Sequence, residues 1–349
     1  MRRLPVFFVL DCSESMVGEN LKKMEDGLAA IVKTLRTDPH ALETVHLSVI
    51  AFAGVARTIV PLVELVSFYP PKLPLGGGTN LAAALDTLMN EIDKSVIRTN
   101  AERKGDWQPI VYLFTDGRPT DKPDQAIGRW LSRYSRKATL IAVGLGRSAD
   151  LAVLRRLTEN VIIFEDSREG DFTKFIDWVT ASLVAQSKSV GEGANAQGIP
   201  ILDESVMRII KEPPSQIVDE ACVTLVGRCR KTRCAYIIKY EKAVQDVATR
   251  DFKVQVSHFD IAGCYPLEEA YFAWTEPGAV DLQVNTSELV GSPGCPHCGA
   301  VTAFAVCGCG RLMCINGPGE VVCPWCEKEV SFSPVQAGDD GFAVGRGRG

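Results

Sequence analysis

A run of five apolar residues, 6–10, is followed directly by the polar motif Asp11-Cys12-Ser13-Glu14-Ser15. β-Branched and aromatic residues dominate the run, which is typical of a strand buried on both faces of a parallel sheet. Open α/β sheets hold their ligands at the carboxyl ends of such strands. One carboxylate and two hydroxyls at alternate positions offer hard oxygen atoms, which suit Mg²⁺ or Mn²⁺. The stretch therefore predicts a parallel sheet with a candidate cation site at its edge.

Asp-x-Ser-x-Ser is also typical of a helix cap, because Ser is a preferred capping residue. Two later stretches favour the metal interpretation. Thr79 follows three glycines, 76–78, and precedes a helical pattern over 81–88, so it offers another hydroxyl beside backbone that can approach a ligand closely. A second buried strand, 110–115, ends in Asp116. Two strands and one loop thus each end in an oxygen ligand.

Strands alternate with helices through the first half of the chain, which predicts a doubly wound, mostly parallel α/β sheet. Apolar residues recur at helical steps over 21–35, and 46–52 is strand-like. A polar stretch without periodicity, 186–197, is typical of a linker. We therefore assign residues 1–186 to the α/β domain and 187–200 to a linker.

From residue 201 the pattern changes to short β-forming segments separated by prolines and glycines. We predict a small β-rich metal-binding domain over 201–335, with a zinc ribbon at 291–330. The glycine-rich end of the chain, 336–349, is predicted to be a disordered tail.

Seven of the twelve cysteines lie between residues 295 and 326. In a reducing cytosol such clustering favours a metal site over disulfides. Two CxxC turns predict one tetrahedral Zn²⁺ site, made of Cys295, Cys298, Cys323 and Cys326. A second zinc ion is possible at Cys307, Cys309, Cys314 and His297. The spacing leaves the partition of the seven open, and four more cysteines can be structural thiols or ligands: Cys222, Cys229, Cys234 and Cys264.

The formal net charge of -5 gives no sign of a surface for nucleic acid or anionic membranes. Between residues 291 and 335 the basic residues are Arg311 and Lys328, so the ribbon lacks a face that could follow phosphates. The start of the chain lacks the apolar segment of a signal peptide. No apolar run approaches the roughly 18 residues that span a bilayer. We expect a cytoplasmic protein.

The order hhhhDxSxS, GGGTN and hhhhTDGxPT along the first half of the chain resembles the von Willebrand factor A family and its metal-ion-dependent adhesion site. The resemblance implies that one divalent cation, Mg²⁺ or Mn²⁺, is held by Asp11, Ser13, Ser15, Thr79 and Asp116. It also implies that the last coordination position is left for a carboxylate of a binding partner. Glu14, in a variable slot, would either tune the metal affinity or compete with that carboxylate.

With CPHCG, CGCG and CPWC in its second half, the chain is similar over almost its whole length to the TerY-type proteins of tellurite-resistance and chemical-stress systems. This resemblance implies a bacterial regulatory or scaffolding component. It implies as partners a serine/threonine kinase and a PP2C-type phosphatase.

The sequence therefore predicts a non-catalytic protein that binds an acidic residue of a partner through its Mg²⁺, with the zinc region as a second docking surface. A phosphatase of the haloacid-dehalogenase type is excluded, because it needs an acid at position 13 and Ser13 cannot protonate a leaving group at neutral pH. Two alternatives remain open: a subunit that assists an AAA+ ATPase in metal insertion, and a nucleic-acid-associated zinc-ribbon protein.

Overall fold

In a computed structural model, the chain divides into two units. The structure describes residues 2–100, 104–116, 118–145, 151–164, 171–192, 207–208, 222–248, 253–275, 282–333 and 341–347. The first unit consists of Met1–Cys12, Glu19–Pro74 and Thr79–Ile217. The second consists of Ser13–Gly18, Leu75–Gly78 and Val218–Gly349.

A sheet of seven described strands forms the centre of the first unit, in the order β3-β2-β1-β4-β5-β6-β7. The strands are β1 (Leu4–Asp11), β2 (Val45–Phe52), β3 (Ala56–Glu64), β4 (Ile110–Thr115), β5 (Thr139–Leu145), β6 (Val161–Phe164) and β7 (Met207–Arg208). The five inner strands run parallel, and the two edge strands pair antiparallel to their neighbours. Because the chain leaves β1 toward β2 on one side and later reaches β4 on the other, the strand order reverses at β1. Such a point is where doubly wound sheets place their ligands.

Helices accompany this sheet at α1 (Glu19–Leu35), α2 (Pro39–Thr44), α3 (Leu81–Ser95), α4 (Asp124–Arg133), α5 (Leu151–Leu157) and α6 (Asp171–Glu192). Side chains alternate across β1, as strand geometry requires. Phe7 belongs to a core cluster with Leu85 of α3 and Trp130 of α4. Phe8 stacks on Tyr112 of β4 with 5.7 Å between ring centroids. The predicted doubly wound α/β fold is thus confirmed, with apolar packing on both faces of β1.

The last helix of the first unit is longer than the sequence predicts. α6 continues to Glu192, so the first part of the predicted linker, 187–192, is helical. Polar and small residues dominate that part of the sequence, and we took them as the sign of a loop, although several of them are compatible with a helix. Residues 193–200 lie outside the described part of the chain.

The second unit contains a six-stranded sheet in the order β12-β10-β9-β8-β14-β13. Its elements are β8 (Cys222–Arg228), β9 (Ala235–Ala248), β10 (Lys253–Pro266), α7 (Ala270–Trp274), β11 (Gln283–Asn285), β12 (Leu289–Val290), β13 (Thr302–Val306), β14 (Leu312–Ile315), β15 (Gly319–Val322), β16 (Glu329–Phe332) and β17 (Ala343–Gly345). β14 pairs with β13 and also with β8. Strands of the predicted ribbon and of the preceding β-rich region therefore share one sheet.

The structure differs from the prediction of a disordered tail. β17 pairs antiparallel with β11, and Val344 at its centre is 2% exposed. Beyond it, the amide of Gly347 donates to the carbonyl oxygen of Thr224 at 2.7 Å. The glycine-rich composition concealed a three-residue strand whose hydrogen-bonding partner lies about sixty residues earlier in the chain. Residues 334–340 and 348–349 lie outside the described part.

Of the helices that the structure describes, none combines the length and the apolar character that a membrane crossing requires.

Candidate metal centres

The predicted oxygen ligands lie where strands end and a helix begins. Asp11 is the last residue of β1, Asp116 follows β4, and Thr79 precedes α3 by two residues. β1 and β4 are parallel neighbours in register, with Leu10 opposite Phe114. The carboxyl ends of these two strands therefore meet at one edge of the sheet.

Hydrogen bonds orient these side chains. Thr115 donates through Oγ1 to Oδ2 of Asp11 at 2.5 Å, and Oγ of Ser13 lies 3.0 Å from Oγ of Ser15. All five predicted ligands are buried, with exposures between 0% for Asp11 and 9% for Asp116. Two carboxylates buried near the same sheet edge would repel one another without a compensating positive charge.

The surroundings of the Thr79 hydroxyl show whether these residues fit a cation. Its Oγ1 is buried and has no hydrogen-bond partner among the residues that the structure describes. A buried hydroxyl without a partner costs about 1–3 kcal/mol. A cation that accepts the oxygen as a ligand would remove this cost. Because carboxylate and hydroxyl oxygens are hard ligands, the set fits Mg²⁺ or Mn²⁺.

The loop after β4 fixes the position of Thr79, and the sequence analysis missed the two residues that do this. Thr120 accepts through Oγ1 from the amide of Thr79 at 2.9 Å, and its own amide donates to the carbonyl of Thr79 at 2.9 Å. Asp121 accepts from the amides of Leu81 and Ala82 at 3.0 and 2.9 Å, which caps α3. Burial raises the pKa of Asp121, and the two amides act against that rise. An acidic residue next to a helix start in the sequence indicates a cap, but Asp121 lies on a loop about forty residues after the helix start that it caps, so the local sequence could not indicate it.

Glu14 belongs to the segment that forms part of the second unit. It is 1% exposed and accepts hydrogen bonds from the hydroxyls of Tyr271 and Thr224, the latter at 3.2 Å. Burial and the nearby charge of Glu14 raise the pKa of Tyr271, so the phenol stays a donor. The carboxylate of Glu14 is therefore occupied by two hydroxyl donors, which argues against its competing for a cation.

Eight cysteines of the second unit form two groups of four. The inner cluster consists of Cys229, Cys295, Cys298 and Cys314, and the outer cluster of Cys307, Cys309, Cys323 and Cys326. Within each group all sulfur atoms lie within 4.8 Å of one another. A tetrahedral Zn²⁺ with Zn–S bonds of about 2.3 Å holds its sulfurs about 3.8 Å apart.

Individual sulfur distances match that requirement. Sγ of Cys298 lies 3.7 Å from Sγ of Cys314 in the inner cluster. In the outer cluster the corresponding distances are 3.7 Å for Cys307 to Cys326 and 4.0 Å for Cys309 to Cys323. Both clusters therefore fit a tetrahedral ion without rearrangement.

This grouping corrects the predicted one. The two CxxC turns do not share a site, because Cys295 belongs to the inner cluster and Cys323 to the outer. His297 joins neither, since its Nε2 lies 2.7 Å from the carbonyl oxygen of Ala235. Cys229, which the sequence left open between a structural thiol and a ligand, completes the inner cluster. The pairing of β14 with β8 decides the matter, because it brings Cys314 to the turn that carries Cys229.

Tight turns present these thiolates. In three of these turns, the backbone amide four residues after the first cysteine donates a hydrogen bond to the carbonyl oxygen of that cysteine: Arg233 to Cys229, Gly299 to Cys295 and Glu327 to Cys323. The three donor residues have positive φ angles, which are 60° at Arg233, 69° at Gly299 and 60° at Glu327. Glycine tolerates this conformation at no steric cost, whereas the other two are held in it.

Backbone amides also point at the sulfur atoms. Arg230 donates through its amide to Sγ of Cys314 at 3.2 Å, and Thr232 to Sγ of Cys229 at 3.4 Å. Burial raises the pKa of Cys229, but the hydrogen bonds from Thr232 and Lys231 outweigh it and bring the pKa to about 6. Such amides favour the thiolate, which is the form that binds metal.

A family model described as the von Willebrand factor type A domain matches residues 6–178. With its mostly parallel sheet and the oxygen ligands at the ends of β1 and β4, the chain belongs to the proteins that carry this domain. A second model, described as the TerY-C metal binding domain, matches residues 219–349. The chain is thus a von Willebrand factor type A protein with a TerY-C metal binding domain.

Several solved structures are similar to this chain. Proximal thread matrix protein 1 from the mussel byssus, with a zinc-occupied MIDAS motif, is 19% identical, with 52% of this chain and 48% of that chain covered and a TM-score of 0.37. The von Willebrand factor type A protein from Catenulispora acidiphila is 14% identical, with coverage of 81% and 61% and a TM-score of 0.41. The ArnB paralog VWA2 from Sulfolobus acidocaldarius is 13% identical, with coverage of 95% and 64% and a TM-score of 0.36. The chain spans about half the length of the mussel protein.

Proposed function

We propose that this protein is a non-catalytic adaptor that binds an acidic side chain of a partner through a divalent cation. The ligands of that cation are Asp11, Ser13, Ser15, Thr79 and Asp116. The observation that carries the proposal is the buried Oγ1 of Thr79, which lacks a hydrogen-bond partner within the described part of the chain. A bound cation would explain why a hydroxyl without a hydrogen-bond partner is buried at the start of a helix, because the cation would take the oxygen atom as a ligand.

The chemistry of binding follows from the ligands. Mg²⁺ prefers six oxygen ligands in near-octahedral geometry, so when bound it supplies a positive charge and a coordination position for an external carboxylate. The residues of this chain orient the ligands: Thr115 holds Asp11, and Thr120 holds the backbone of Thr79. A partner with an exposed Asp or Glu fits this site, since a neutral side chain would leave the charge less well compensated.

The second unit supports a structural role for two Zn²⁺ ions. Two groups of four thiolates at tetrahedral spacing give closed sites without an open position for substrate. In this proposal the second unit is a folded docking surface that its ions stabilise. The resemblance to TerY-type proteins supports a place in a stress-response phosphorylation system, with a serine/threonine kinase and a PP2C-type phosphatase as the partners to test.

The alternatives have less support. Assistance to an AAA+ ATPase rests on fold analogy alone. Nucleic-acid binding by the cysteine region needs several cations that are free to contact phosphates. The guanidinium groups of Arg228 and Arg311 lie 4.3 and 4.6 Å from the ring centroid of Trp325, and Arg233 forms an ion pair with Glu327 at 2.6 Å, so these three already have partners within the protein.

A pull-down from native cell extract tests the proposal. Thr79→Ala and Asp116→Ala should each lose a partner that the wild type retains in the presence of Mg²⁺. Thr34→Ala and Asp26→Ala, at exposed positions of α1, are matched controls and should retain it. Point changes are preferable to a chelator, which would also strip the zinc. If every partner survives both site variants while zinc content and melting are normal, the oxygen site does not bind partners.

A further inference from the structure

The two cysteine clusters differ at one ligand in how exposed the residue is. In the inner cluster Cys229, Cys295 and Cys314 are at most 4% exposed and belong to the apolar core of the six-stranded sheet, and Cys298 is half-buried against that core. In the outer cluster Cys307 and Cys323 are buried and Cys326 is half-buried, but Cys309 is exposed. Cys309 is therefore the ligand that a solute can approach most readily.

They also differ in what surrounds them. Three inner ligands lie on turns next to β8 and β13, and the fourth, Cys314, lies within β14; all three strands belong to the large sheet. Two outer ligands, Cys323 and Cys326, lie on the turn between β15 and β16, and these strands pair with each other and with no other described strand. An isolated two-stranded hairpin is marginally stable. The outer cluster is thus one of the few attachments that hold this hairpin.

Besides the ion pair of Glu327 with Arg233, further attachments are located around Trp325, inside the outer turn. Its Nε1 donates to the carbonyl oxygen of Leu312 at 2.7 Å, and the guanidinium groups of Arg228 and Arg311 lie over its ring. A small apolar cluster joins Val321, Val330 and Phe332 of the hairpin to Ala305 and Met313. Movement of the outer turn would change the surroundings of Trp325, so this side chain reports on the outer cluster.

We propose that the outer cluster is the exchangeable metal site of this protein, at which soft divalent cations replace the resident ion through Cys309. The incoming ion forms a bond to the sulfur of Cys309, the exposed ligand, while the bond from that sulfur to Zn²⁺ breaks. The other three thiolates transfer in the same way. One divalent ion enters and one leaves, so charge is conserved and nothing is oxidised. The inner cluster, three of whose ligands are buried in the core, exchanges more slowly.

The inference rests on the proposed assignment of Zn²⁺ to both clusters, and one experiment separates the two claims. Zinc is first counted in the full-length purified protein, and Cd²⁺ is then added. Released zinc is followed with a chromogenic chelator, and cadmium binding by thiolate charge-transfer absorbance. We expect two zinc ions per chain, one released at least tenfold faster than the other. Fewer than two at the start would contradict the zinc assignment, whereas two released at equal rates would overturn only this inference.

Variants assign the fast phase. Cys309→Ser should remove it or leave one zinc ion per chain. Cys234→Ser, which removes an exposed cysteine outside both clusters, should keep both phases. Tryptophan fluorescence should change with the fast phase in the wild type and not in Trp325→Phe, which locates the phase even if Cys309→Ser folds poorly. A fast phase unchanged in Cys309→Ser, or a fluorescence change that survives in Trp325→Phe, would refute the proposal.

Discussion

The oxygen site and the cysteine clusters relate to their surroundings in opposite ways. The oxygen ligands lie at the ends of β1 and β4 and just before α3, beside a core cluster that includes Phe7, Leu85 and Trp130 and none of the five ligands. Most of the cysteine ligands lie on turns, and much of the apolar cluster around the outer four consists of those turns and of short strands. The comparison predicts that the fold carries the first site, whereas the second unit depends partly on bound ions for its stability.

The strongest test of this comparison removes one ligand of the inner cluster. Cys314→Ser should unfold much of the second unit, because structural Zn²⁺ in small domains contributes roughly 10–16 kcal/mol of apparent binding free energy at neutral pH. Thermal melting followed by circular dichroism should show one transition lost and the transition of the first unit retained. Cys222→Ser, at a cysteine that is 6% exposed and lies outside both clusters, is the matched control. Equal effects of the two changes would contradict the comparison.

A smaller effect is expected at the oxygen site. Thr79→Ala should keep or raise the melting temperature in EDTA-free, Mg²⁺-free buffer, because it removes a buried hydroxyl that has no partner in the described structure and is therefore costly to bury. It should abolish the stabilisation by added Mg²⁺, which amounts to about 2.7 kcal/mol at a concentration one hundred times the dissociation constant. Paired melts with and without Mg²⁺ measure both quantities. Asp26→Ala should keep the full Mg²⁺ response, and loss of folding in Thr79→Ala without metal would show that the first unit depends on its site.

Tyr271→Phe sharpens the comparison within the second unit. The change removes a hydroxyl that donates to the buried carboxylate of Glu14, so it should lower the free energy of unfolding by about 1–3 kcal/mol. Denaturant titration of the zinc-loaded protein measures it. Tyr69→Phe, at a side chain that is 76% exposed, should change nothing measurable. If the two variants were equally stable, the bond to Glu14 would contribute no net stability.

The smallest effect concerns the outer turn. Glu327 has a φ of 60°, and left-handed backbone costs a non-glycine residue roughly 1–2 kcal/mol. Glu327→Gly should therefore be about 1 kcal/mol more stable than Glu327→Ala, since both lose the ion pair with Arg233 but only glycine relieves the strain. Denaturant titration of the two zinc-loaded variants tests this order. The ion pair itself, between side chains that are 57% and 67% exposed, should contribute little.

Local patterns in the sequence were enough to predict the α/β class of the first unit and a metal site in each half of the chain. Runs of apolar residues predicted β1 and β4, and the spacing of the oxygen-bearing and sulfur-bearing side chains indicated hard and soft metal ions. Such features can be recognised because they depend on residues that are close together in the sequence. The tail strand β17 and the helical start of the predicted linker show the limit, because their sequences are also typical of loops and their conformation depends on partners elsewhere.

The sequence by itself determined that the cysteines bind metal, but only the tertiary structure decided which of them share an ion. Spacing along the chain favoured a pair of CxxC turns, whereas the sheet places β14 between β8 and β13 and thereby groups Cys314 with Cys229. The same holds for Asp121 at the start of α3 and for Tyr271 at Glu14. Each of these contacts joins residues that are far apart in the chain. Strand pairing and core packing over the whole unit bring these residues together. A local sequence pattern cannot indicate such contacts, because they depend on many interactions throughout the unit.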